Sequence, residues 1–174
     1  MRKAINHAID REAISKSIVG GGSRVINTIC FPAQFGCSDE GAARYKYDPE
    51  LAKKLLAEAG FPNGFDTEIV AYRERNQTEA LINYLRAVGI RAKLSFPQYA
   101  AMREQIRANK AQLTHQTWGS FSVNDVSAAT PVYFGFESDD VTRDGEVRDL
   151  LNRGNNSVDP TTRKAYYKTA LALI

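Results

Sequence analysis

The chain has 174 residues, of which 43% are hydrophobic and 25% are charged, and this composition predicts one globular domain or two small ones. Twelve glycines and six prolines exclude a collagen-like or low-complexity chain. No apolar run approaches the roughly 18 residues that a membrane-spanning helix needs. The net charge of +3 is too small to indicate a strongly anionic partner.

The N-terminal part of the chain predicts a helix followed by an irregular segment. Residues 1–19 carry isoleucines and alanines at helical spacing, and Asp10 is placed to cap the second half of this stretch. Three consecutive glycines then end the helix. Residues 20–47 show no hydrophobic period, so we predict an irregular loop that carries both cysteines of the chain.

Residues 48–118 predict an α/β core. Asp48 and Pro49 form a strong helix start, because the aspartate can cap the first turn and proline needs no N–H partner there. Short strands and helices alternate after this helix, which predicts a βαβαβ unit that right-handed crossovers turn into a parallel sheet flanked by helices. The predicted strands are 67–72, 90–96 and 113–118, and the predicted helices between them are 77–88 and 99–106.

Residues 119–174 predict a loop followed by C-terminal helices. One helix is predicted at 146–153 and another at 163–174, the second after a further Asp-Pro start. The chain stops at Ile174 on an apolar helical turn without a cap, which is rare at the end of a natural domain. We therefore expect this chain to be a piece of a longer protein.

The two cysteines, Cys30 and Cys37, lie close together in the predicted loop. The six residues between them match no common zinc spacing, and the intervening proline and glycine can turn the chain back on itself. In an oxidising compartment this pattern predicts a disulfide that closes the loop. The alternative is two reduced, half-buried thiols.

Ligands bind open parallel sheets outside the carboxyl ends of the strands. Two segments of this chain, 72–76 and 118–125, leave the predicted sheet at that edge. Their side chains can hold a carboxylate, an ammonium group and an apolar side chain, which suits a zwitterion such as a peptide. The candidate ligand-binding residues are Arg73, Arg75, Trp118, Ser120, Asn124 and Asp125.

Several of these candidates have an equally simple structural alternative. Arg73 and Arg75 flank Glu74 and can be solvated surface charges. Trp118 can belong to the core, and Asp125 can cap a helix or an Asx-turn.

The sequence gives little support to an enzyme. It lacks the nucleophile-elbow pattern, a metal-binding histidine pair and a phosphate-binding loop, since its three glycines are not followed by Lys and Ser or Thr. We therefore predict a protein without catalytic residues, metal or cofactor.

Two stretches resemble a known family of transport proteins. Residues 2–14 read Arg-Lys-Ala-Ile-Asn-His-Ala-Ile-Asp-Arg-Glu-Ala-Ile, and residues 47–65 read Tyr-Asp-Pro-Glu-Leu-Ala-Lys-Lys-Leu-Leu-Ala-Glu-Ala-Gly-Phe-Pro-Asn-Gly-Phe. Both are similar to characteristic segments of the bacterial extracytoplasmic solute-binding proteins of family 5, the oligopeptide, dipeptide and nickel-binding components of ABC importers. The Gly89–Ile90 junction and the spacing of Asp159 and Arg163 also fit this family.

The resemblance implies a fold like the type II periplasmic binding proteins, of which this chain would be part of the C-terminal lobe. The function implied is capture of a peptide-like solute between two lobes and delivery to a membrane permease. The partners implied are the solute, the N-terminal lobe of the same protein and the ABC permease. The location implied is the periplasm, where a Cys30–Cys37 disulfide would form.

The resemblance also implies a site after Trp118. In peptide-binding members, a loop that follows a strand-ending Trp supplies an Asp that pairs with the amino group of the peptide. This sequence has Phe121 at that position, and Asp125 comes four residues later. The run from 118 to 125 is similar to that of glutathione-binding and other small-solute members.

An alternative from a different functional class is a nucleic-acid-binding α/β module. It rests on the five basic residues in segment 91–110, which face a single acidic residue there. This reading requires exposed aromatic side chains on a sheet face near that segment.

Overall fold

The structure is a computed structural model that describes residues 1–119 and 122–174. The chain divides into two compact units, each built from two separate stretches of sequence. The first unit contains residues 1–25 and 45–117, and the second contains residues 26–44 and 118–174. Among the described residues, no helix combines the length and apolar character needed to cross a bilayer.

The first unit opens with a helical segment that breaks where the sequence predicts. Helix α1 spans Arg2–Ala8, and α2 spans Arg11–Ile14 and continues into a π-helical turn over Ser15–Val19. Asp10 lies at the break, and its side chain accepts a hydrogen bond from the backbone N–H of Ala13 at 2.9 Å. The predicted capping role of Asp10 is therefore confirmed.

Helix α3 spans Pro49–Glu58 and begins at the predicted Asp-Pro start. The Asp48 carboxylate accepts from the backbone N–H of Leu51 at 2.9 Å, which satisfies one of the orphan donors of the first turn. The backbone N–H of Asp48 donates to the carbonyl of His7 at 2.8 Å and so ties α3 to α1.

The sheet of the first unit has three parallel strands in the order β2-β1-β3. Strand β1 spans Phe65–Ala71, β2 spans Ile90–Ser95 and β3 spans Leu113–His115. The connecting helices are α4, Arg75–Ala87, and α5, Tyr99–Arg107. The predicted βαβαβ unit and its parallel sheet are confirmed.

The prediction that β3 continues to Trp118 is wrong. The pairing of β3 with β1 ends where Ala71 faces His115, because β1 itself ends at Ala71. Residues 116–119 have no neighbouring strand to pair with in the described part of the chain, so they leave the sheet three residues earlier than predicted.

Helices cover both faces of the sheet. On one face, Ile69 and Ile90 pack with buried side chains of α1, α3 and α4, including Leu56 and Leu85. On the other face, Val70 packs against two buried side chains of α5. Coverage of both faces is typical of parallel sheets, and it leaves the strand ends as the accessible part.

His115 lies at the end of β3 and has a partner inside the first unit. Its Nδ1 atom is 2.8 Å from the hydroxyl oxygen of Thr78, a residue of α4 that is fully buried. Burial lowers the pKa of His115, and the nearby charge of Glu74 raises it to a smaller extent. This half-buried histidine is therefore neutral at pH 7 and is held by a buried residue of α4.

The second unit consists of a loop closed by a disulfide and a set of helices. Cys30 and Cys37 are joined, with their Cα atoms 5.7 Å apart, which confirms the predicted bridge. Closing so short a loop restricts the unfolded chain by about 2 to 3 kcal/mol. We call residues 30–37 the cystine loop.

The two long helices of the second unit start on aspartate caps. Helix α7 spans Gly145–Asn156 with Asp144 as its cap, and α8 spans Pro160–Leu173 with Asp159 as its cap. Their facing sides bury Leu151, Leu171 and Tyr167. Two short elements were not predicted, a 3-10 turn over Val126–Ala128 and helix α6 over Thr130–Phe134.

We expect Gly64→Ala to destabilise the protein by about 3 kcal/mol or more. A Cβ atom at Gly64 would overlap the carbonyl oxygen of Gly89, and the φ of +71° already disfavours a side chain. The matched control is Gly60→Ala, which has a φ of +88° but no atom within 4 Å of its Cβ. That variant should lose only about 1 kcal/mol. Urea unfolding measures both, and equal losses would contradict the steric argument.

We expect His115 to make the protein less stable as the pH falls below its ordinary pKa of about 6.5. The pKa is lower in the folded chain, so the unfolded chain binds more protons in this range and gains stability from acidification. His115→Gln should therefore show a flatter dependence of unfolding free energy on pH between about 7.5 and 5.5. Identical slopes in the wild type and His115→Gln would refute the prediction.

Candidate functional site

In the first unit, the candidate site lies where the chain leaves β1. Tyr72 follows the strand, and its ring centroid is 4.9 Å from that of Tyr99 at the start of α5. The exposed Arg73 places its guanidinium carbon 5.4 Å from the Tyr72 ring, and Arg103 donates to the Tyr99 hydroxyl at 2.9 Å. Two rings and two guanidinium groups therefore lie together at this edge of the sheet.

Arg75 is the first residue of α4, and its charge already has partners within the first unit. It forms an ion pair with Glu79 at 3.3 Å, in which both side chains are about half exposed. Its guanidinium carbon also lies 5.1 Å from the ring centroid of Phe96. An ion pair this exposed contributes little stability, so a ligand carboxylate can compete with Glu79 for this arginine.

In the second unit, the candidate residues lie on the loop that precedes the 3-10 turn. Trp118 is half-buried and meets the ring of Tyr133 edge-on, with centroids 5.3 Å apart. The side chain of Asn124 is exposed, while its backbone carbonyl accepts from the N–H of Phe35 at 3.0 Å. Ser120 lies outside the described residues.

Asp125 uses both carboxylate oxygens within the second unit. One oxygen accepts from the backbone N–H of Ser127 at 2.9 Å, so Asp125 caps the 3-10 turn. The other accepts from Arg163 at 3.0 Å, in an ion pair whose side chains are 18% and 24% exposed. The capping alternative therefore describes its position, and direct contact with a ligand stays a prediction.

Arg163 is a central residue of the second unit, although in the sequence it stands out only through its spacing from Asp159. Besides Asp125, it donates to the hydroxyl of Tyr167 at 2.8 Å and to the carbonyl of Gly154 at 3.1 Å. Its guanidinium lies 4.9 Å from the ring centroid of Phe35. Its place one turn before the buried Tyr167, on the same side of α8, is the sequence signal that could have marked it.

Tyr167 completes this polar cluster at the centre of the second unit. Its hydroxyl donates to the side chain of Asn155 at 2.8 Å. Burial raises the pKa of Tyr167, which keeps its proton in place for that bond. A Cβ atom at Gly36 or Gly154 would collide with the Tyr167 ring, so both glycines are required by close packing.

Each unit also contains an open cavity. In the second unit, a cavity of about 380 Å³ lies beside the cystine loop, with Lys164 and Lys168 of α8 on its wall. In the first unit, a cavity of about 290 Å³ lies near Gly64 and Gly89, at the sheet edge opposite the candidate arginines. Among residues 1–119 and 122–174, no cluster of three or more potential metal ligands occurs.

We expect Arg163→Met to destabilise the protein by about 2 kcal/mol, because it leaves the largely covered Asp125 carboxylate without its cation. The matched control is Arg44→Met, which breaks an ion pair with Asp39 whose side chains are 63% and 54% exposed. The control should change stability by less than about 0.5 kcal/mol. Thermal and urea unfolding measure the stability of both variants. An equal loss of stability in the two would show that the Arg163 cluster stabilises the protein no more than an exposed ion pair does.

Comparison with known proteins finds a family model that matches most of the chain. Residues 1–140 match the family model of the bacterial extracellular solute-binding proteins, family 5 Middle. The chain is 43% identical to heme-binding protein A of Haemophilus influenzae over 68 residues, which cover 39% of this chain and 12% of that protein. It is 25% identical to the glutathione-binding protein of Escherichia coli K12 over 193 aligned residues, which cover all of this chain and 36% of that protein.

Solved structures share the fold. HbpA2 from Haemophilus parasuis superposes with a TM-score of 0.88 at 27% identity, over 99% of this chain and 36% of that one. The dipeptide-binding protein of Pseudoalteromonas sp. SM9913 in complex with Met-Leu gives 0.87 at 26% identity, over 99% and 36%. The predicted likeness to type II periplasmic binding proteins is thus confirmed, although the chain spans only about a third of these relatives. The chain belongs to the bacterial extracellular solute-binding proteins, family 5.

Proposed function

We propose that this chain is part of the solute-binding component of an ABC importer. The complete protein would capture a peptide or peptide-like solute between two lobes and deliver it to a membrane permease. The observation that carries this proposal is the match of the family model to residues 1–140, which is most of the chain. The family consists of binding proteins, and its members act outside the cytoplasm.

The relatives support a small peptide-like solute as the first candidate. A glutathione-binding protein aligns over the whole chain, and a dipeptide-binding protein with Met-Leu bound shares its fold. The heme-binding relative matches a shorter segment at higher identity, so heme is the second candidate. Glutathione and dipeptides both carry free carboxylates and an amino group, which the candidate residues suit.

We propose separate roles for the candidate residues. The guanidinium groups of Arg73 and Arg75 would bind a ligand carboxylate, and Trp118 would pack against an apolar part of the solute. Ser120 and Asn124 would form hydrogen bonds with its polar groups.

Asp125 would contribute through the oxygen lone pairs that Ser127 and Arg163 leave unused, or by holding the loop in place.

The other partners follow from the same proposal. This chain would form part of the C-terminal lobe, and the N-terminal lobe of the same protein would complete the site. The permease would be the membrane partner, and the protein would work in the periplasm or an equivalent extracytoplasmic space. The comparisons give no support to the nucleic-acid-binding alternative.

The test is isothermal titration of the protein expressed from its complete gene with Met-Leu, a tetrapeptide, glutathione and heme. We expect saturable binding of at least one peptide-like solute, with a negative heat-capacity change as apolar surface is buried. Binding of heme alone would replace the peptide-like solute with the second candidate. Failure of every solute to bind would contradict the proposal.

The first-unit residue Arg73 offers a matched comparison in the same experiment. Arg73→Ala should weaken binding of a carboxylate-bearing solute by about tenfold, which is the loss of a charged hydrogen bond. Arg86→Ala removes another exposed arginine, which lies on α4 and contacts Asn83 at 3.3 Å. This control should leave the affinity unchanged.

A further inference from the structure

Gln34 is a buried polar residue whose side chain connects the cystine loop with the loop that carries the candidate residues. It lies in the cystine loop and is 9% exposed. Its side-chain NH₂ group donates to the carbonyl oxygens of Val123 and Asp125, both at 3.2 Å. Its side-chain oxygen accepts from the backbone N–H of Phe31 at 2.9 Å. One amide therefore joins the cystine loop to residues 123–125.

The next residue adds a backbone bridge between the same two segments. Phe35 donates its N–H to the carbonyl of Asn124 at 3.0 Å and accepts from the N–H of Val126 at 3.1 Å. This makes a short parallel bridge between Phe35 and Asp125. Four hydrogen bonds from two consecutive residues thus fix the backbone of 123–126.

The fixed backbone carries exposed side chains. Val123 is 45% exposed and the side chain of Asn124 is also exposed, although their carbonyl groups are bonded to the cystine loop. Ser122, just before them, adopts a left-handed φ of 64°, which is uncommon for a residue other than glycine. A backbone that is fixed while its side chains face solvent is the arrangement that a preorganised binding loop needs.

Only glutamine supplies this set of contacts from position 34. A glutamate of the same length has no N–H to donate and would place its charge against two carbonyl oxygens. Methionine has the same reach but no hydrogen-bond donor. The carbonyls of Val123 and Asp125 would then lose a buried donor, which leaves the two backbone bonds of Phe35 to hold the loop.

We propose that Gln34 is a positioning residue for solute binding, which holds residues 123–125 in the arrangement that the solute meets. This inference rests on the proposed function, because it assigns the loop after Trp118 to the solute site. It adds a residue that lies far from that loop in sequence and that belongs to neither predicted ligand segment. The cystine loop then holds residues 123–125 in place, and the Cys30–Cys37 disulfide closes the cystine loop itself.

The experiment compares Gln34→Glu, Gln34→Met and the control Gln112→Glu in the protein expressed from its complete gene. Gln112 is an exposed glutamine of the first unit whose side-chain oxygen accepts from Thr67, a role that a carboxylate can keep. Titration with Met-Leu and with glutathione should show a loss of more than about tenfold for Gln34→Glu and about fivefold for Gln34→Met. Gln112→Glu should bind as the wild type does.

Two further readouts separate positioning from a general loss of structure. Amide hydrogen exchange should be faster at Val126 in both Gln34 variants and unchanged in the buried part of α8, while the melting temperature falls by only a few degrees. Lowering the pH from about 7 to about 4 should narrow the affinity gap between Gln34→Glu and the wild type, since a protonated carboxyl can donate to one carbonyl.

Wild-type affinity in both Gln34 variants would overturn the inference. So would an affinity loss that only follows a lower melting temperature and that acid does not relieve in Gln34→Glu. If the wild type bound neither probe, the same variants would be titrated with the tetrapeptide and heme, and failure of all four solutes would contradict the proposed function by itself. In that case unchanged exchange at Val126 in Gln34→Met would overturn the anchoring role as well.

Discussion

The pairing of β1 with a parallel strand on each side is the constraint on which the first unit depends. Because all three strands are parallel, their carboxyl ends lie along one edge, and the segments after them begin there. That edge gathers Tyr72, Arg73 and Tyr99, although Tyr72 and Arg73 follow β1 and Tyr99 begins the helix after β2. Buried residues on both faces of the sheet hold the strands, so the aromatic and charged side chains of the candidate site lie at the strand ends.

The second unit holds its loop by a different means, because hydrogen bonds and an ion pair fix this loop and the end of a sheet strand does not. The cystine loop supplies main-chain and side-chain bonds to residues 123–126, and Arg163 forms an ion pair with the Asp125 carboxylate. Phe35 takes part in both, since its backbone bridges to Asp125 and its ring lies against Arg163. The loop is thereby fixed by contacts that never use its exposed side chains.

Local chemistry made much of the fold predictable. Asp10, Asp48 and Asp159 each cap the turn that follows them, as their positions before helical periods indicate. The disulfide was also accessible from the sequence, since its cysteines are seven positions apart. In each case the interacting groups are close along the chain.

What the sequence did not predict depends on contacts between distant residues. The end of β3 is set by the length of β1, and helix α6 is too short to show a period. The Arg163–Asp125 pair spans 38 positions and the Gln34–Asp125 bond spans 91. Arg163 and Gln34 look like ordinary polar residues until the fold brings their partners to them, and neither was therefore among the predicted site residues.

The interleaving of the two units sets an order on their assembly. The whole of residues 45–117 is synthesised between the two stretches that make up the second unit. The two cysteines of so short a loop meet within microseconds, so closing the Cys30–Cys37 bond needs an oxidant but no later part of the chain. Its partners on the later stretch do not yet exist at that time. The cystine loop can therefore be closed before residues 118–174 are made, and its hydrogen bonds to residues 123–126 form only when that later stretch is present.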